Sequence, residues 1–262
     1  MIHSSSVIDK NAKVSTKIKI GPFCYVGPNV ELSDGVELIS NVHIEGNTKI
    51  GKNTKIFPFA SIGTQPQDLK FENEKNSLSI GEKNIIREYV TINPGTIGGG
   101  SKTIIGNNCL FMISSHIAHD CIVGNNCIFS NNSTLAGHIT IGDHVILAGM
   151  TAVHQFCSIG SHSFVAGGSL VRKDIPPFVK AAREPISYVG INSVGLRRRG
   201  FTSEKIREIQ NIYRILYQKT YNNTQAVEII EAEVEVSKER DEILQFIRDS
   251  QRGIMKGYSK TS

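Results

Sequence analysis

An apolar residue returns at every sixth position from Ile105 to Val171, by way of Phe111, Ile117, Val123, Phe129, Leu135, Ile141, Leu147, Val153, Ile159 and Val165. An α-helix repeats at 3.6 residues and an alternating strand at two, so neither explains a period of six. A hexad repeat is the mark of a parallel β-helix, in which three hexads close one triangular coil and each short strand pairs with the coils above and below it. A residue then lies beneath the one eighteen places on.

The same period runs earlier, from Ile8 through Val14, Ile20, Val26, Leu32, Leu38, Ile44, Ile50 and Ile56 to Ile62, and again at Ile80, Ile86 and Ile92. Two interruptions predict protruding loops, one near 64–79 and one near 97–103, where the step from Ile92 to Ile105 is thirteen and Gly98-Gly99-Gly100 marks a bulge. Long loops in a repeat serve a site or an interface. For the glycine loop a plain surface insertion fits equally well.

The hexad stops after Pro176-Pro177 and Pro185. From Thr202, a candidate N-cap, Ile206, Ile209, Tyr213 and Leu216 repeat at helical spacing. Thr224 and Ser237 are candidate caps of two further helices, carrying Val227, Ile230 and Val234, then Ile243, Phe246 and Ile247, with Gly253 as the stop. The chain thus reads as mainly β, a parallel β-helix over 1–190, followed by a small α-helical unit over 191–262 that caps the open strand edges.

Composition changes this picture little. The 262 residues are 39% hydrophobic and 20% charged, as in an ordinary soluble protein, and neither a secretory signal nor a membrane-length apolar run is evident. These features predict a cytoplasmic protein with no stable membrane insertion and, at a net charge of only +5, no nucleic-acid partner. Basic residues gather locally instead, at Arg172, Lys173, Lys180, Arg183 and Arg197-Arg198-Arg199. Cys24, Cys109, Cys121, Cys127 and Cys157 each fall four residues after a repeat residue, in the slot elsewhere filled by Ala12, Ser133 or Thr151. They are expected to be buried, free thiols.

Histidines carry the candidate chemistry. On the eighteen-residue map His116, His119, His138 and His154 line one edge over three successive coils, with Gly137 and then Gln155 above His119 and His138 above Asp120. A glycine above a histidine leaves room for a ligand and offers a backbone N–H. His144 and His162 stack elsewhere on the coil. Three histidines on neighbouring coils would suit zinc. Gln155, Asp120 and an apolar wall better suit a general base and a polar substrate, with no metal.

The blocks His116-Ile117-Ala118-His119-Asp120-Cys121, Asn131-Asn132-Ser133-Thr134-Leu135-Ala136-Gly137-His138 and Gly149-Met150-Thr151-Ala152-Val153-His154-Gln155-Phe156-Cys157 resemble the UDP-N-acetylglucosamine O-acyltransferases, hexapeptide-repeat enzymes that begin lipid A synthesis in Gram-negative bacteria. Gln67-Asp68-Leu69-Lys70 and Leu196-Arg197-Arg198-Arg199-Gly200-Phe201 extend the similarity over essentially the whole chain. The resemblance implies a left-handed β-helix, a homotrimer with active sites between subunits, and transfer of a 3-hydroxyacyl chain from acyl carrier protein to the glucosamine 3-hydroxyl. No cofactor is implied beyond the phosphopantetheine that arrives on the donor.

It also implies roles. His119 would be the general base, Gly137 the oxyanion donor and Asp120 an orienting partner. Asp68, Lys70, His116, His138 and Gln155 would meet the sugar, with His154 nearby. Asn192, Arg198 and Arg199 would meet the diphosphate and uridine, and Gly167 would leave the acyl groove open for a long chain. Val194 stands where an acidic residue is expected, and Asn93-Pro94 replaces the more usual His-Arg. The competing readings are a sister enzyme acylating a sugar amine, a zinc-dependent γ-class carbonic anhydrase, and a non-catalytic scaffold. A 3-amino sugar as acceptor stays open.

Overall fold

In a computed structural model describing residues 1–218 and 221–257, the hexads form three parallel sheets wound around one core. The first sheet has nine strands, from Val7–Ile8 to Leu170–Val171, and the second has eight, from Lys13–Val14 to Ser158–Ile159. The third starts at Lys19–Ile20 and has eleven, ending with Val179–Ala182, Ser187–Ile191 and Lys256–Gly257. Each two-residue strand turns its hexad residue inward and its predecessor outward, so Ile117, Leu135, Leu147 and Val165 are wholly buried. Ile8 and Val14, in the first coil, are covered on one side only and stay partly exposed.

The eighteen-residue register holds through most of the rod, as in His116 opposite Thr134 and Ile117 opposite Leu135. It widens where the loops enter. Ile62 pairs with Ile92, thirty residues on, and Ile92 with Ile117, twenty-five on. The loops end earlier than their sequence signals. The first stops at 76, because Leu78 is buried within the strand Ser77–Ile80. The second occupies 93–101, ahead of the strand Lys102–Ile105.

Corners are made by residues in left-handed backbone conformations, which short polar side chains tolerate best. Asp120 and His138 turn the chain from first sheet to second at φ of 59° and 61°. Asn126, His144 and His162 turn it from second to third, and Met150 and Gly168 from third to first. All five cysteines are buried and free.

The C-terminal end departs from the simple reading in four ways. The strand Ser187–Ile191 runs antiparallel to Val179–Ala182 and crosses position 190, and Lys256–Gly257 returns to pair with it. A short helix α1 (Ser193–Arg198) that the periodicity does not show precedes α2 (Ser203–Gln218), and the arginine run lies at its C-terminal end. The cap of α3 (Asn223–Glu233) is Asn222, not Thr224, because Asn222 and Gln225 satisfy each other's backbone N–H reciprocally. Helix α4 (Lys238–Asp249) starts at Ser237 as its sequence predicts but ends at Ser250, ahead of Gly253. Thr202 caps α2 as expected, its Oγ accepting from the Lys205 N–H at 3.2 Å. Positions 219–220 and 258–262 of the predicted helical unit lie outside the described residues.

Helix α2 is pinned to the rod by Tyr213, whose hydroxyl donates to the Pro177 carbonyl at 2.6 Å. Beside it His144 and His162 stack at 4.8 Å, with Phe178 and Phe201 on His162. Burial, then His144 and Arg199, hold His162 down to about 4, and burial, then Arg199, also lowers His144. An unfolded histidine ionises near 6.5, so below that pH the unfolded chain binds more protons and stability falls as pH drops towards 4. Replacing His162 with phenylalanine should flatten this fall between pH 6.5 and 4.5 by about 1 kcal/mol, after allowing for solvent screening of the half-buried ring. Urea unfolding midpoints at several pH values measure it, and parallel curves for both proteins would contradict it.

Candidate active site

The corner between the first and second sheets gathers the titratable groups. His119 points its ring outward with its side chain only 13% exposed, and its Nδ1 lies 2.8 Å from Asp120 Oδ2. A carboxylate can only accept, so the ring proton sits on Nδ1 and the Nε2 lone pair is left free. The Asp120 side chain is completely buried. The His138 ring meets His119 edge-on at 5.0 Å, stacks on Phe156 at 4.6 Å, and brings Nδ1 within 3.9 Å of the same carboxylate oxygen.

The coil above decides how His119 stands. A Cβ built on Gly137 would lie 2.5 Å from His119 Cε1 and 2.8 Å from Nε2. The space above His119, read from the sequence as room for a ligand, is therefore filled by the imidazole itself. Gly137 is buried, and its N–H has no acceptor among the described residues. An unpaired N–H beside a basic nitrogen suits a site where negative charge develops on a reacting oxygen.

His116 stands on the outer face of the first sheet, its Nδ1 2.6 Å from Thr91 Oγ1. Burial, then His119, lowers its pKa, and burial is also the main cause lowering that of His138. His154 and Gln155 are exposed one coil higher, with His154 Nδ1 3.1 Å from the Gln155 carbonyl. Asp68 acts electrostatically on His138, which places the tip of the first loop near this corner, and it accepts from the Lys70 N–H at 2.9 Å. Lys70 itself is exposed.

Other predicted site residues lie on different corners of the same chain. Asn192 is buried as the N-cap of α1, donating to the His162 carbonyl at 2.9 Å and accepting from Gly195 at 3.2 Å. Arg199 donates to the His144 carbonyl at 3.1 Å, and its second terminal nitrogen is buried with no hydrogen-bond partner among the described residues. Arg198 is exposed. Gly167 is exposed at the corner between third and first sheets. Between it and His119 the outward strand residues of the first sheet are small or apolar, at Thr134, Ala152 and Leu170.

Two large cavities lie away from this corner. One of about 890 Å³ opens at the first coil among Ile18, Val36 and Leu38, and another of about 710 Å³ lies between the first loop and the early coils. In the single chain the histidine corner is approached by the first loop, through Asp68, and by Phe156 stacked on His138. His119, Asp120 and His138 have ligand-type atoms within 4.8 Å of one another, a spacing a metal ion could use. Both Asp120 oxygens already accept hydrogen bonds from Thr96, and His119 takes a further lone pair. Thr96, from the glycine loop, is the residue that sequence reasoning missed; its one signal was the thirteen-residue step.

Residues 174–255 match the family described as "Udp N-acetylglucosamine O-acyltransferase; Domain 2", and residues 102–137 match "Bacterial transferase hexapeptide (six repeats)". An acyl-[acyl-carrier-protein]–UDP-N-acetylglucosamine O-acyltransferase of a Sulfurihydrogenibium species is 55% identical over 99% of this chain and 96% of its own length. The protein of the same name from Trichlorobacter lovleyi is 51% identical over 98% and 99%. Among solved structures, a UDP-N-acetylglucosamine acyltransferase from Bacteroides fragilis superposes with a TM-score of 0.96 at 45% identity, over 98% of this chain and all of that one.

Proposed function

The chain belongs to the acyl-[acyl-carrier-protein]–UDP-N-acetylglucosamine O-acyltransferase family, with its left-handed β-helix, and we propose that His119 carries the family's chemistry here as general base. The reaction transfers a 3-hydroxyacyl chain from acyl carrier protein to the 3-hydroxyl of the glucosamine in UDP-N-acetylglucosamine, the first step of lipid A biosynthesis. One observation supports the role above all: a wholly buried carboxylate holds His119 by Nδ1, which leaves Nε2 as the accepting nitrogen.

A sugar hydroxyl is a weak nucleophile at neutral pH, and imidazole is the side chain best matched to remove its proton. As Nε2 takes that proton, the oxygen attacks the thioester carbon and the carbonyl oxygen becomes negative. The unpaired Gly137 N–H stabilises this oxyanion. Its collapse expels the phosphopantetheine thiolate, which takes the proton back from His119. Asp120 balances the imidazolium in between. With its carboxylate already hydrogen-bonded and no redox step to perform, the site reads as a proton-transfer device needing neither metal nor cofactor of its own.

His138, His116, Gln155, His154, Asp68 and Lys70 offer donors and acceptors to the sugar, and Arg198 and Arg199 suit a diphosphate through their planar donor sets. The two groups sit on different corners of one rod. A homotrimer that brings the arginine corner of one copy against the histidine corner of the next unites the two groups. The buried Asn192 amide, already satisfied by the His162 carbonyl on the rod and the Gly195 N–H of α1, supports a place for that helix more than a ligand contact. Arg172, Lys173 and Arg252 cluster at the end of the rod through side-chain to carbonyl bonds, a basic surface suited to acidic acyl carrier protein. No helix of the described residues is long and apolar enough to cross a membrane; a donor carried on acyl carrier protein supports a reaction in the cytoplasm.

The acyl chain lies along the small and apolar outer positions of the first sheet towards Gly167. A Cβ there would meet the Gly149 carbonyl oxygen at 3.0 Å and the Gly149 nitrogen and Ala148 Cβ at 3.8 and 3.9 Å, so a longer side chain at this exposed corner needs a shift of a few tenths of an ångström and then projects outward. Gly167→Met should therefore shift preference to shorter donors by about tenfold or more, on the order expected for losing a few buried methylenes. Competition between hydroxyacyl carrier proteins of different length reads this, and unchanged selectivity would refute it. The function itself is tested by incubating the protein with 3-hydroxyacyl carrier protein and either UDP-N-acetylglucosamine or its 3-amino analogue. Mass spectrometry should find the acylated nucleotide sugar; no product with either acceptor rejects the reading.

A further inference from the structure

We propose that Thr96, in the second loop, is a positioning residue of this site: it clamps the Asp120 carboxylate and so keeps His119 oriented to accept a proton. The inference rests on His119 being the general base. The Thr96 N–H lies 2.9 and 3.0 Å from the two Asp120 oxygens, and its hydroxyl donates to Oδ2 at 2.6 Å. Thr96 is itself buried, 24 residues from Asp120 in the chain.

The rest of the loop closes around the same group. A Cβ on Gly99 would lie 2.1 Å from Asp120 Cγ, so only glycine lets the loop pack flat on the carboxylate. The Asp120 N–H donates to the buried Thr103 hydroxyl at 2.9 Å, fixing the left-handed turn from which the side chain departs. The ion-pair partners of Asp120 among the described residues are His119 and His138, so its charge is met by hydrogen bonds and imidazole without a lysine or arginine. Such a carboxylate keeps one orientation only while its donors hold it. The loop is in turn braced by the one carrying Asp68 and Lys70: Glu74 accepts from the Ile97 N–H at 3.1 Å, and Asn93 donates to the Thr64 and Gln65 carbonyls at 3.2 and 3.3 Å. The insertion that broke the hexad register thus supports both the proton acceptor and the sugar-facing loop.

Thr96→Val removes the hydroxyl and keeps the shape. It should lower kcat about tenfold, with KM for the nucleotide sugar within about twofold, as for an interaction that matters in the transition state. Thr96→Ser should recover activity to within about threefold of the parent. The acid limb of kcat/KM should move to higher pH in Thr96→Val, because a carboxylate that has lost a donor holds a neighbouring imidazolium more firmly. On an Asp120→Asn background the valine change should add less than about twofold, since its route of action is already cut. Thermal midpoints accompany each variant, and Thr96→Ala carries the same reading should valine unfold the loop. Parent-like kcat and pH profile in Thr96→Val, or a loss that multiplies fully with Asp120→Asn, would overturn the proposal. A parent-like His119→Ala would instead remove the general-base reading beneath it.

Discussion

His119→Ala is expected to lower kcat by about 10²–10⁴, the span that a general base contributes. KM for the nucleotide sugar should change far less, because the ring acts on the hydroxyl proton as the bond forms and supplies little ground-state binding. The fold should persist. His119 sits at an outward corner, and the core beneath it is made by Ile117 and Leu135, both wholly buried. His119→Gln is the sharper control, since an amide can hydrogen-bond the sugar but cannot take its proton. Steady-state turnover with carrier-bound donor measures both variants, and activity within tenfold of the parent in each would displace His119 from its role.

Gly137→Ala should be nearly as damaging, for a different reason. The new methyl would stand 2.5 Å from His119 Cε1, closer than any real contact, so the ring must swing away. A histidine side chain at a corner can do so at little cost to the rod, but it then leaves Asp120 and crowds the Gly137 N–H. Turnover should fall by about 10²–10³, comparable with the loss of one oxyanion donor together with a misaligned base. The thermal midpoint should drop by no more than about 4 °C, a few tenths to 1 kcal/mol on a chain of this size. A large loss of stability with turnover intact would show that Gly137 serves the coil and not the chemistry.

These two expectations differ in how far they were legible beforehand. The eighteen-residue map placed Gly137 over His119 and His138 over Asp120, and the structure keeps both relations. The same map put His144 on His162, where they stack. It could not say that the glycine makes room for the imidazole and not for a ligand, because that depends on the side-chain torsion His119 adopts once Asp120 holds it. Nor could it show that Asp120 is buried, since the cover comes from a loop out of register.

Caps and insertions were the least legible elements. Asn222 prevailed over Thr224 because Gln225 returns a second bond to it, and α1 is too short to show a periodic stripe. Glu74 and Thr96 are ordinary polar loop residues in the sequence, and become meaningful only when the two insertions fold against each other.

By itself, the sequence determined the rod. A period of six in apolar residues admits one closed parallel coil, and burial of those residues sets the eighteen-residue register up to Val171 wherever the two loops do not interrupt it. Which histidine can act as a base was decided only by tertiary structure. A single proton position on His119 requires a desolvated acceptor fixed in direction, and the groups that fix it arrive from another coil and from an irregular loop that no periodicity encodes.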